Sequence, residues 1–90
     1  MRVEVTRIEW DGAMRRRVVD TAGRSDARKW EELAGRALAY VPSYRPAPGG
    51  PVFHLRVDDQ AFLIAEHDLA GPLSDLVTAV LAVGGGPLTA

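Results

Sequence analysis

The two histidines, His54 and His67, are the side chains best suited to metal or acid–base chemistry in a sequence that contains no cysteine. If residues 52–68 form a hairpin with a two-residue turn, His54 pairs with Ala65. His67 then lies diagonally beside His54 on the outward face of that hairpin. Two imidazoles can begin a metal site, but zinc needs three or four ligands and no third ligand lies at a suitable spacing. We therefore expect two surface histidines and no metal site.

Catalytic patterns are not found around the remaining candidate groups. The three serines, Ser25, Ser43 and Ser74, lack the glycine-flanked pattern of a nucleophile on a sharp turn. The glycine triplet at residues 84–86 follows a helical pattern rather than opening one, so it does not predict a phosphate loop. The acidic EHD segment at residues 66–68 is expected to end a strand and begin a helix, where the helix dipole favours negative charge. The sequence therefore predicts a protein that is not an enzyme and uses no cofactor.

Composition and charge argue against several other classes of protein, namely disordered, nucleic-acid-binding, secreted and membrane proteins. The chain has 90 residues, 47% hydrophobic and 26% charged, which is typical of one globular domain rather than a disordered chain. The net charge is −1, and the basic run at residues 15–17 alternates between strand faces, so no continuous nucleic-acid surface is expected. The start of the chain lacks the apolar core of a secretory signal, and the longest apolar run, LVTAVLAV, is too short to cross a bilayer. We expect a cytoplasmic protein with no nucleic-acid or membrane partner.

Apolar alternation predicts a first hairpin in residues 2–21. Asp11-Gly12 is the strongest short signal for a two-residue turn between antiparallel strands. The pairs created by that turn include Val5–Val18, Val3–Asp20, Ile8–Arg15 and Trp10–Ala13. In this register the apolar side chains change faces along the hairpin: Val3, Val5 and Val18 share one face, whereas Ile8, Trp10 and Ala13 share the other. Either a bulge near residues 6–7 corrects the phase, or the hairpin tip projects Trp10 away from the core.

A second hairpin is predicted in residues 52–58 and 61–68. Its two-residue turn creates the pairs Val57–Phe62 and Leu55–Ile64. These four side chains and Phe53 then share one face. A three-residue loop would move Phe62 and Ile64 to the opposite face, so the two-residue turn is preferred.

Two segments show helical periodicity. The first, which Ser25 or Asp26 can cap, ends before Pro42, and the second covers residues 68–83 with Pro72 in its first turn. Each segment has an apolar stripe at helical spacing, formed by Trp30, Leu33, Ala34, Ala37 and Leu38 in the first, and Leu73, Leu76, Val77, Val80 and Leu81 in the second.

The order ββαββα predicts a single α+β domain at residues 1–83, in which two antiparallel hairpins form a four-stranded sheet with two helices packed on one face. Residues 84–90 are expected to form a loose tail. Residues 41–51, VPSYRPAPGGP, do not link independent modules, because neither half could bury its apolar stripe alone. Their prolines keep this crossover extended and stiff, and Gly49-Gly50 bends the chain into the sheet.

Two places carry large side chains that a core does not need, and both are candidate partner-binding surfaces. Tyr, Trp and Arg are the usual anchors of protein interfaces, and proline lowers the entropy cost of ordering a binding loop. The candidates are Trp10, Asp11 and Met14 at the hairpin tip, and Val41, Tyr44 and Arg45 in the crossover. The alternative is that Trp10 folds over the sheet edge and that the tyrosines pack under the crossover.

Several segments in order resemble one known family. They are MRVEVTR, RRRVVDT, Tyr40-Val41-Pro42, PAPGGP, FHLRV and LSDLVTAVL. This succession, which covers roughly residues 1–83, resembles the emfourin family of small bacterial proteins. Emfourin is a protein inhibitor of protealysin, a thermolysin-like zinc metallopeptidase of the M4 family. The resemblance implies the ββαββα order and a stoichiometric inhibitor of an M4 peptidase, and we expect the protein to be a monomer.

For such an inhibitor, the candidate side chains suggest a hypothesis for the mechanism. Thermolysin-like enzymes favour bulky apolar side chains beside the scissile bond, which Trp10 and Met14, or Val41 and Tyr44, would offer on a rigid loop. Asp11 is a candidate for approaching the enzyme's zinc, with turn formation as its alternative role. Two other functions stay open: an interaction module with a different partner, and a small-ligand or metal-binding domain built on His54 and His67.

Overall fold

The computed structural model describes residues 1–45 and 49–83, and their element order is ββαββα. The strands are β1 (Arg2–Ile8), β2 (Met14–Asp20), β3 (Val52–Val57) and β4 (Gln60–Ala65), and the helices are α1 (Ala27–Leu38) and α2 (Gly71–Val83). A short 3₁₀ helix, Glu66–Asp68, joins β4 to α2. The four strands form one antiparallel sheet in the order β2-β1-β3-β4. The predicted α+β fold is confirmed.

The register of the first hairpin differs from the prediction by one residue. Val3 lies opposite Val19 and Val5 opposite Arg17, rather than opposite Asp20 and Val18. The loop has three residues instead of two. Glu9 accepts a hydrogen bond from the Gly12 N–H (2.9 Å), and its own N–H donates to the Ala13 carbonyl (2.8 Å). Gly12 has a φ of 90° and is therefore the residue in the left-handed region that closes a three-residue hairpin loop. Val19 therefore joins the core in place of Val18.

The corrected register also explains the position of Trp10. β1 pairs continuously from Arg2 to Ile8 without a bulge, and Trp10 is the first residue of the three-residue loop. Its side chain is 79% exposed. Of the two alternatives for this hairpin, the structure has the one in which the tip projects Trp10 away from the core.

Replacing Gly12 with alanine is expected to lower the free energy of unfolding by about 1 kcal/mol, because an L side chain is strained in the left-handed region. A Cβ atom at this position would meet no atom within 4 Å, so the cost is conformational rather than steric. Gly35, in the middle of α1, also has open space around it but a negative φ, so Gly35→Ala is expected to raise the free energy of unfolding by about 0.5–1 kcal/mol. Urea unfolding measures both variants. Changes of the same sign in both would contradict this account.

The second hairpin keeps the predicted faces but shifts its pairing by two residues. Leu55 lies opposite Phe62 and Phe53 opposite Ile64, with Asp58-Asp59 as the two-residue loop. A shift of two preserves the face of every side chain because side chains alternate along a strand. Asp58 has a positive φ of 53° and is tied to β1: its N–H donates to the Arg2 carbonyl (2.8 Å), and its Oδ1 accepts from the Arg2 N–H (2.9 Å). With these bonds, the turn lies at Asp58-Asp59, one residue earlier than predicted.

Both predicted helical stripes point into the core. The core lies between one face of the sheet and the two helices, and α2 packs against α1, β1 and β2. The buried core side chains are Val3, Val5, Val19, Phe53, Leu55, Val57 and Ile64 from the sheet, and Trp30, Ala34, Ala37, Leu73, Leu76, Val77 and Val80 from the helices. Leu33, Leu38 and Leu81 are partly buried at its border. Within the described residues, neither helix is long and apolar enough to cross a bilayer.

The helix starts differ from the predictions in detail. α1 begins after Asp26, but this carboxylate does not cap the helix. It accepts hydrogen bonds from Arg24 Nε (2.8 Å) and Nη2 (3.1 Å), and this interaction lowers the pKa of Asp26 to about 2. α2 begins at Gly71 rather than at Asp68, because the chain first forms the 3₁₀ helix. The glycine triplet at residues 84–86, the predicted tail at 84–90 and the prolines at 46 and 48 lie outside the described residues.

Candidate protein-binding surface

The hairpin tip holds three of the predicted contact residues in a preformed turn. Trp10 is 79% exposed and Met14 is 70% exposed. Asp11 lies between them, and its Oδ1 accepts a hydrogen bond from the Ala13 N–H at 3.0 Å. At the base of the tip, Arg7 forms an ion pair with Glu9. The Arg7 guanidinium also lies 5.7 Å from the centre of the Phe53 ring. The turn is thus fixed by its own hydrogen bonds while its large apolar side chains face solvent.

An apolar row continues from the tip across the sheet. This row lies on the face turned away from the helices, since its members alternate with the core residues of each strand. Met14 is opposite Ile8, Ile8 is opposite Val52, and Val52 is opposite Ala65. Ile8 and Val52 are partly exposed, whereas Ala65 is buried. We call Trp10, Met14, Ile8 and Val52 the tip surface. Sequence patterns did not indicate Ile8 and Val52 as part of this surface, because only the pairing of the strands makes them neighbours of Met14.

The crossover residues lie at the same end of the sheet as the hairpin tip, because β3 begins beside the end of β1. Tyr44 is 37% exposed and Arg45 is exposed, while Val41 is partly buried against the core. Val41 therefore supports the crossover from below rather than facing outward. Tyr40 is 78% exposed, so it does not pack under the crossover.

Arg45 helps to line an open depression of about 480 Å³ between the crossover and the 3₁₀ helix. The other residues that line it are Tyr40, Pro42, Ser43, His67 and Asp68. This depression and the hairpin tip are two separate groups of residues at one end of the sheet. Trp10, Asp11 and Met14 are brought together at the tip, whereas Arg45 belongs to the second group and Tyr44 precedes it in the crossover.

The predicted arrangement of the histidines is wrong. His54 is opposite Leu63 rather than Ala65, and β4 ends before His67. His67 lies in the 3₁₀ helix, where its Nε2 is 3.6 Å from Asp68 Oδ2. The difference arises because the two-residue shift of the second hairpin moves the end of β4. Among the described residues, no group of three or more His, Cys, Asp or Glu side chains is placed to hold a metal ion.

The opposite end of the same sheet face is charged. The Glu4 carboxylate, whose side chain is only 14% exposed, accepts a hydrogen bond from Arg16 Nη2 at 2.7 Å and lies 4.0 Å from Arg2 Nη2. Arg56 and Asp58 complete a depression of about 230 Å³ around these groups. The outer face of the sheet is thus divided into an apolar end, with the tip surface, and an end of paired charges.

Comparison of the chain with protein-family models, with curated proteins and with solved structures returned no match.

Proposed function

We propose that this protein is an emfourin-like inhibitor of a thermolysin-like (M4) zinc metallopeptidase, and that it acts in the bacterial cytoplasm by stoichiometric binding without a cofactor. The order of segments in the sequence supports the family. The main structural support is Trp10, a large apolar side chain that is 79% exposed at the tip of a hydrogen-bonded turn. M4 peptidases favour bulky apolar side chains beside the scissile bond, so the tip offers the kind of group that their cleft accepts.

The rigidity of the tip favours binding over cleavage. A loop that already has its bound conformation loses little entropy on binding, and this increases affinity without new contacts. The bond from Ala13 to Asp11 and the pairing at Glu9 hold the turn in the free protein. Trp10 enters the cleft first and Met14 contacts its rim, while Asp11 keeps the turn closed. Tyr44 and Arg45 are placed to make secondary contacts from the crossover.

Titration of an M4 peptidase with the purified protein tests the proposal. We expect cleavage of a small peptide substrate to fall linearly and to reach its minimum near one equivalent, because the inhibitor binds the active-site cleft. A serine peptidase that cleaves a comparable peptide serves as the control and should keep its activity. No slowing of any M4 peptidase at a protein excess of about 10 µM, where a typical specific complex is already formed, would refute inhibition.

A non-inhibitory interaction module of the same fold is the second candidate. The apolar row at Ile8 and Val52 favours it, since this row extends the exposed apolar surface from the hairpin tip onto the outer face of the sheet. Affinity capture with the wild-type protein and with the Trp10→Ala variant separates the two functions. A partner other than a peptidase, retained by the wild type and lost by the variant, would support the module.

A further inference from the structure

The two edges of the sheet differ in how they are protected against pairing with another chain. The β2 edge carries Arg15, Arg16 and Arg17, and Arg17 Nη1 donates a hydrogen bond to the Arg16 carbonyl at 2.9 Å. Charged side chains on an edge strand are the usual protection of a natural sheet. The β4 edge has the sequence QAFLIA, with no charge, no proline and no glycine. Leu63 in its middle is 42% exposed.

The backbone of β4 offers a regular set of hydrogen-bonding groups at this edge. The Asp58 N–H points to β1, so in the alternating antiparallel pattern the neighbouring Val57 directs its N–H and C=O to β4. Val57 pairs with Gln60 of β4. The same alternation directs the N–H and C=O groups of Phe62 and Ile64 towards β3. The N–H and C=O groups of the alternate residues Ala61, Leu63 and Ala65 therefore point away from β3. Ala61 and Leu63 are exposed at this edge, whereas Ala65 is only 1% exposed, so the open part of the edge is formed by Ala61 and Leu63.

We infer that β4 pairs with β4 of a second copy of this chain, in antiparallel orientation about a two-fold axis. With the axis at Phe62, Leu63 of each copy lies beside Ala61 of the other on the outer face. The exposed backbone groups of Ala61 and Leu63 then find partners in the second copy. On the inner face, Phe62 lies opposite Phe62 of the second copy. The strand is thus self-complementary in both its backbone groups and its apolar side chains.

A second copy fits this edge better than the β2 edge of another molecule does. Pairing β4 with β2 would join two different surfaces and would continue into an open chain of molecules. It would also place the arginines of β2 beside a strand that carries no acidic side chain. Pairing β4 with itself closes after two copies and buries no charge from either strand. This inference opposes the sequence-based expectation of a monomer.

The expected dimer is weak and leaves the proposed inhibitory tip accessible. A single strand pair covers less than the roughly 800 Å² per partner of a typical stable interface, so we expect dissociation in the micromolar range. The hairpin tip joins β1 to β2, on the far side of the sheet from β4. Each dimer would therefore carry two free tips, and dimerisation does not depend on whether the tip inhibits a peptidase.

Sedimentation measured from about 1 to about 500 µM tests the inference, a range that spans a micromolar dissociation constant. The wild-type mass is expected to rise from 9.7 kDa towards twice that value. Leu63→Lys puts a charge beside the two-fold axis, opposite Ala61 of the second copy, and is expected to stay monomeric throughout. Met14→Lys is the matched control, because Met14 is also an exposed apolar residue on the outer face of an edge strand. It should dimerise like the wild type but inhibit an M4 peptidase less well, whereas Leu63→Lys should inhibit normally.

Amide hydrogen exchange of the wild type gives a second readout that needs no variant. The amides of Ala61 and Leu63 are expected to exchange quickly at low concentration and to become protected as concentration rises, while those of Phe62 and Ile64 stay protected throughout. A wild type that stays at 9.7 kDa with unprotected Leu63 at the highest concentration would overturn the inference. Growth into assemblies larger than two copies would overturn the two-fold pairing.

Discussion

Replacing Trp10 with alanine is expected to weaken inhibition of an M4 peptidase at least about 30-fold, which corresponds to about 2 kcal/mol of binding free energy. Exposed tryptophans that become buried at the centre of an interface are the commonest energetic anchors. Trp10 is 79% exposed in the free protein, so its removal should leave the melting temperature nearly unchanged. The inhibition constant and a thermal melt of the same sample measure the two effects separately.

Val83→Ala is the control for Trp10. Val83 is also an exposed apolar residue, at 47%, but it lies at the far end of α2, which starts near the tip end of the sheet. Its truncation should change neither inhibition nor melting. Equal inhibition by the wild type and Trp10→Ala would exclude the hairpin tip as the anchor and would point to the crossover residues Tyr44 and Arg45 instead.

Replacing Leu55 with alanine is expected to lower the free energy of unfolding by about 2–5 kcal/mol. Leu55 is fully buried on β3, a central strand, and its side chain lies opposite Val5 on one side and Phe62 on the other. The truncation would leave a cavity between the sheet and the helices, and a 90-residue domain has only a small reserve of stability. Urea unfolding should show an earlier midpoint with a similar slope.

Leu63→Ala is the matched change on the opposite face of the same sheet. Leu63 is 42% exposed and lies on the strand next to Leu55, so its truncation should cost less than about 1 kcal/mol at concentrations where the chain is monomeric. A comparable loss in both variants would mean that the outer face of the sheet is buried in solution.

Local patterns were sufficient to predict the elements and most of the core. The stripes of both helices and the alternation of β3 depend on spacing within one segment, and the structure confirms them. The first hairpin could not be settled in this way, because Asp-Gly suits both a two-residue turn and the observed loop with Gly12 in the left-handed region. That one-residue difference moves Val19 into the core in place of Val18.

The candidate surface was only partly predictable for a different reason. Trp10 and Met14 stand out locally, because they do not fit the apolar alternation of the hairpin. Ile8 and Val52 become part of the same surface only through the pairing of β1 with β3, between residues about 44 positions apart. The position of His67 depends on where β4 ends, and this follows from the hydrogen bonds between Asp58 and Arg2, which no local pattern encodes.

The central place of β1 in the sheet has a consequence for how the chain folds during synthesis. β1 leaves the ribosome before the other three strands of the sheet, yet one of its two neighbours is β3, which is made after α1 and the crossover. The first hairpin can form at once from local contacts, but the open side of β1 must wait until residue 57 has emerged. Non-local strand pairing is slow because a long loop must close first. The nascent chain therefore exposes one edge of β1 until β3 emerges and covers it.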